Sequence, residues 1–148
     1  MNKKILGFTA IYAIFMASLL FLTFQYSWNP SGYSYEVDHP TLIIKEGLLD
    51  TNENNVNITE NMSDVLLLQV AVGNVQTHWK QDLIVMALFF PLILFSIFKN
   101  SRPFKNVLPY KWFVGLSVAI ITIYLIVTVP AYVTEISAVD QYVKAVLD

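Results

Sequence analysis

The stretch Lys99-Asn-Ser-Arg-Pro-Phe-Lys-Asn-Val-Leu-Pro-Tyr-Lys-Trp112 holds four cations and no acid. An apolar run lies on each side of it, Leu83 to Phe98 before and Phe113 to Tyr132 after. Two such runs around a short basic turn read as a transmembrane helical hairpin. Basic residues are retained in the cytoplasm, which places the turn there. Once the turn is placed, the sidedness of the whole chain follows.

Working outward, a third charge-free run, Ile5 to Phe24, follows Lys3 and Lys4. A cleaved signal peptide has an apolar stretch of only ~7–15 residues and ends at a small-residue site. This run is longer and leads into Gln25, Tyr26, Ser27 and Trp28. It reads as an uncleaved anchor, with Tyr26 and Trp28 in an outer aromatic belt. The expected class is therefore an all-α-dominated integral membrane protein with three transmembrane helices. The divisions are 1–28 for the basic start and first span, 29–82 for an external segment and 83–98 for the second span. Then follow 99–112 for the cytoplasmic loop, 113–132 for the third span and 133–148 for an external amphipathic tail.

Charge distribution agrees with that order. Six of the nine cations, Lys3, Lys4, Lys99, Arg102, Lys105 and Lys111, fall inside. The other three share the outside with all eleven acids, leaving −8 there against +6 within. The Lys/Arg bias is what orients membrane proteins, so the N-terminus is expected in the cytoplasm and the C-terminus outside. Of the 148 residues, 55% are hydrophobic and 14% charged. A soluble chain carries about 25% charged residues, and here the deficit is concentrated in three runs. A net charge of −2 argues against nucleic acid as a partner. With no cysteine, disulfides, thiolate metal sites and a cysteine nucleophile are excluded.

Within 29–82, Tyr33 to Val37 and Thr41 to Ile44 are aromatic and β-branched and suit short strands. Asp50 to Asn61 is rich in Asn and acid and reads as an exposed loop. Its Asn57-Ile-Thr59 and Asn61-Met-Ser63 fit the glycosylation sequon, which in a bacterium marks only a polar loop. The Lys- and Asn-rich, cysteine-free composition leans bacterial. Val65 to Val75 is too short to span a membrane. Its pattern fits a buried helix, an interfacial helix or a strand. The preferred reading is a helix from about Ser63, capped by Ser63 or Asp64 and continuing toward the membrane. Pro91 stands mid-span, where it removes a helical hydrogen bond and is expected to kink the helix. In the tail, Val133, Ile136, Val139, Val143 and Val146 recur at helical spacing. They suggest a short amphipathic helix that docks on the central segment and covers Val65 to Val75.

Candidate chemistry is sparse. No Asp, Glu, Lys, Arg or His falls within the three runs, which argues against a transporter or pump acting alone. The polar candidates are Glu36, Asp38 and His39 near the first span, and His78 and Asp82 near the second. His78 and Asp82 are four apart and share a helix face. Two histidines with carboxylates are zinc-ligand types, but no HExxH, GxSxG or Gly-rich phosphate loop is present. No catalytic residue, metal or cofactor is assigned on this basis. Asp50, Glu53, Glu60 and Asp64 cluster around the Asn-rich loop and are candidate partner-binding residues. The expected function is a small non-catalytic membrane protein: an accessory, regulatory or stabilising subunit of a larger integral membrane complex, or a homo-oligomer in the bilayer. The alternatives are a membrane-bound enzyme acting on lipid or envelope precursors at the outer interface, and an immunity-type membrane protein.

Overall fold

The computed structural model describes residues 3–47 and 52–147. It is helix-dominated, and three helices are long and apolar enough to cross a membrane. The first, α1, is Lys3–Gln25. At 1.5 Å per residue its 23 residues reach about 35 Å, against ~30 Å of hydrocarbon. Met16 and Thr23 are its only buried residues. Ile11, Ile14, Phe15, Phe21 and Phe24 face outward, as a lipid-covered helix allows.

Three strands follow: β1 (Tyr33–Asp38), β2 (Thr41–Glu46) and β3 (Asn52–Asn57). They form an antiparallel sheet in the order β1-β2-β3. The β1–β2 register runs from Tyr33 opposite Glu46 to Asp38 opposite Thr41, turning at His39-Pro40 through a cis peptide bond. Alternation along β2 sends Leu42 and Ile44 into the core. The connection from α1 is clamped by Asn29, which is buried. Its Nδ2 donates to the carbonyl of Tyr33 at 2.8 Å, and its Oδ1 accepts from the Ser31 amide at 3.0 Å. Gly32 then takes φ +74°, a backbone region that side chains disfavour.

The strand β3 corrects the expectation of a loop over Asp50 to Asn61. Its sequence, NENNVN, has poor strand propensity. It pairs nonetheless because β2 offers an unpaired edge, and because Val56 lies opposite Leu42 and is buried beside it. Asp50 lies outside the described residues.

The second helix, α2, is Met62–Ile97, and the third, α3, is Tyr110–Leu147. A short 3-10 turn, Lys99–Ser101, stands in the connection between them. With 36 and 38 residues they measure about 54 and 57 Å. Each exceeds the ~30 Å hydrocarbon layer by several turns. The helix expected from about Ser63 is thus the beginning of α2, and no break separates it from the second apolar run. Neither Ser63 nor Asp64 caps it: the residue before the helix is Asn61, and its side chain makes no cap bond. Asp64 sits in the first turn, where a negative charge complements the helix dipole.

The tail is likewise not a separate helix, because α3 passes through Pro130 without interruption. Its far end packs on the sheet and on α2. Leu42, Ile44, Val56, Val65, Leu68, Val72, Val75, Val139, Val143 and Val146 form one buried cluster. Val133, expected in the same stripe, is exposed. Burial of Val139, Val143 and Val146 contributes roughly 4–5 kcal/mol before entropy losses. That packing offsets the hydrogen bond that Pro130 removes. A second cluster, Met16, Trp79 and Leu83, joins α1 to α2.

Candidate functional site

Two ionisable side chains of α2, His78 and Asp82, meet α3 one turn apart. His78 and Asp82 project from one face of α2, as their spacing requires. His78 Nδ1 lies 3.2 and 3.1 Å from the two carboxylate oxygens of Glu135, and both side chains are partly exposed. The imidazole stacks on the Tyr132 ring with centroids 4.6 Å apart and planes within 8°. One turn further along, Asp82 is buried, 4% exposed, and its Oδ1 accepts a hydrogen bond from the Tyr124 hydroxyl. The Tyr132 hydroxyl is buried beside Asp82 and has no hydrogen-bond partner among the described residues. The Tyr124 ring stands edge-on to Phe89 at 5.2 Å. Two acid-bearing pairs thus bridge the helices, with Tyr132 between them.

Asp82 was expected as an external polar residue at the end of the central segment, next to the second span. It is instead drawn into the bundle, where its partner Tyr124 belongs to the middle of the apolar run 113–132. A buried carboxylate needs hydrogen bonds to offset its desolvation; the Tyr124 hydroxyl supplies one, with the Tyr132 hydroxyl buried close by. Nothing in the spacing of Asp82 alone signals those tyrosines, which lie 42 and 50 positions away in the chain.

The other candidates lie on the sheet. Glu36 is paired with Lys45 at 3.0 Å, and Lys45 also reaches Glu53 at 3.9 Å, so one lysine ties all three strands. Asp38 and His39 are exposed at the hairpin turn, where the Asp38 carbonyl accepts from the Thr41 hydroxyl. Glu60 accepts a hydrogen bond from the Asn57 side chain at 3.3 Å. Among the described residues, no group of three or more His, Asp and Glu side chains is placed to hold a metal ion. His39 and His78 therefore do not share an ion-binding cluster.

Three further features went unread in the sequence. Trp79 donates through Nε1 to Thr23 Oγ1 at 2.8 Å and stands edge-on to Trp28 at 5.1 Å, fixing the end of α1 against α2. Nearer the loop, the Tyr12 ring stacks on Phe90 at 4.0 Å. Its hydroxyl donates to the Met86 carbonyl at 2.7 Å, one residue before the Ala87 carbonyl that Pro91 deprives of its helical donor. Beginning at Glu135, a groove of about 220 Å³ runs between α2 and α3. Leu67, Val70, Ala71, Asn74, Glu135, Ala138 and Tyr142 line it. No protein-family model matches the chain, and neither a curated protein nor a solved structure gives a significant match.

Proposed function

We propose that this chain is a non-catalytic accessory subunit of a larger integral membrane complex in a bacterial cell membrane. Its N-terminus and the Lys99–Lys111 loop lie in the cytoplasm, and its sheet and the far ends of α2 and α3 lie outside. The observation that carries the reading is a strip on the first turns of α2. Met62, Leu66, Leu67 and Val70 are 61, 50, 43 and 61% exposed. Lipid does not cover this strip. The sheet packed on the same stretch carries Glu36, Lys45 and Glu53, partly or fully exposed, so that level of the molecule is in water. An apolar strip held in water by a rigid helix fits a protein partner. The enzyme alternative loses support, because Glu36, Asp38 and His39 are not gathered with His78 and Asp82.

The test is a photo-reactive amino acid placed at Leu67 or Val70 in the full chain, followed by purification in mild detergent and mass spectrometry. The expected product is a stoichiometric cross-link to one larger membrane protein, with Val70→Asp abolishing co-purification. Cross-links only to a second copy of the chain would replace the accessory role with a homo-oligomer. Sidedness is tested separately by cysteines at Asn55 and Ser101. Asn55→Cys is expected to label in intact cells, and Ser101→Cys only after permeabilisation. Equal labelling from outside overturns the orientation.

A further inference from the structure

At the sheet-side end of the apolar layer, α1 and α2 leave a groove of about 350 Å³ lined by Met16, Leu20, Phe24, Leu83, Ile84 and Ala87, with Lys80 at its end. Apart from Lys80, every lining residue is apolar. A second, small and mostly polar notch adjoins it, lined by Thr23, Ser27, Trp28, Gln76 and again Lys80. Lys80 therefore stands where an apolar groove meets a polar one. The Lys80 Nζ lies 5.9 Å from the centre of the Phe24 ring, and no carboxylate among the described residues pairs with it.

The depth of this junction is set by its neighbours. Trp28 and Trp79 pack edge to face beside it, and indole rings favour the boundary between hydrocarbon and headgroups. The lysine stem lies along apolar surface while its ammonium reaches the polar layer. An unpaired cation at headgroup depth, above a groove wide enough for hydrocarbon, is complementary to one kind of occupant. We propose that the groove between α1 and α2 holds an anionic phospholipid of that leaflet. An acyl chain lies between Leu20 and Ile84, and the headgroup phosphate rests on Lys80 beside the polar notch.

Tryptophan fluorescence reads this site directly, because Trp28 lines the polar notch, Trp79 packs with Met16 and Leu83 of the groove, and Trp112 lies in the first turn of α3 at the opposite end of the bundle. The full chain carrying Trp112→Phe is reconstituted into phosphatidylcholine vesicles. Either phosphatidylglycerol or phosphatidylcholine brominated high on the acyl chain is then added in increasing mole fraction. Half-maximal quenching by brominated phosphatidylglycerol is expected at about fivefold lower mole fraction, the weight of one basic residue facing anionic lipid. Lys80→Gln is expected to make the two curves coincide, and Lys80→Arg to keep them apart. Ala87→Phe, which fills the groove, is expected to weaken quenching by both lipids. Coincident curves in the parent chain, a preference that survives Lys80→Gln, or quenching unaffected by Ala87→Phe would each overturn the proposal.

Discussion

The two halves of the long helices are built on different rules. In the sheet-capped half, every third or fourth residue of α2 is buried: Val65, Leu68, Val72 and Val75 are at most 1% exposed. They meet Leu42, Ile44 and Val56 of the sheet and Val139, Val143 and Val146 of α3. In the other half, from Leu83 to Ile97 and from Phe113 to Val129, the only buried apolar residues are Leu83, Leu94 and Phe113, at 3, 8 and 8% exposed. Ile84, Leu88, Ile123, Ile126 and Val127 face outward there. The difference is the one expected between a segment in water and a segment in lipid. In water, apolar surface must be removed by protein, and a small segment does so by borrowing two helix ends and a sheet. In lipid no such drive exists, and helices are held by aromatic stacking and a few hydrogen bonds, as in Tyr12 on Phe90 and Tyr110 on the Ser96 carbonyl.

The contrast is broken most severely by ending the chain after Thr134. Loss of Val139, Val143 and Val146 uncovers the buried face of α2 and costs on the order of 5 kcal/mol. A large drop in the thermal midpoint of the detergent-solubilised protein is expected. A truncated chain as stable as the full one would mean that the sheet alone covers α2.

The next test compares matched truncations in the two halves. Leu68→Ala is expected to cost roughly 2–5 kcal/mol by opening a cavity in the water-facing core. Ile123→Ala, on a lipid-facing position, is expected to cost less than about 1 kcal/mol in bilayers, since lipid fills the space. Equal losses would remove the distinction between the halves.

A smaller effect sharpens the boundary between them. Tyr124→Phe leaves Asp82 without the hydroxyl that hydrogen-bonds it and is expected to cost about 1–3 kcal/mol. The double variant Asp82→Leu, Tyr124→Phe is expected to be more stable than Tyr124→Phe alone, because no unpaired carboxylate remains. A double variant no better than the single one would show that the carboxylate is solvated.

The smallest expected effect is confined to the water-facing half. Burial, then the nearby charges of Glu46 and Asp140, raises the Tyr33 hydroxyl above its ordinary value. A group raised on folding binds its proton more tightly in the folded state. Its contribution is therefore complete below the unfolded value near 10 and is lost as pH rises beyond it. Thermal melts should fall off above pH 10, and Tyr33→Phe should flatten that fall. An unchanged slope in the variant would assign the alkaline loss to other groups.

Much of the architecture was legible in the sequence because lipid imposes a simple rule. A chain crossing hydrocarbon needs about twenty apolar residues, and α1 and the apolar runs inside α2 and α3 satisfy it on sight. The strands β1 and β2 were legible for a related reason, since alternation and β-branching are local. The rest depended on partners distant in the chain. NENNVN becomes a strand only because β2 presents an open edge and Val56 finds Leu42. Helix α3 runs through Pro130 only because its valines find α2 and the sheet. His78 and Asp82 show their common face in their spacing, but Glu135, Tyr124 and Tyr132 come to them only through the crossing of two helices. Composition and period determined which segments are helical and apolar. Which carboxylate is buried, and which helix covers which, was decided by tertiary packing, because those energies belong to pairs of residues far apart in sequence.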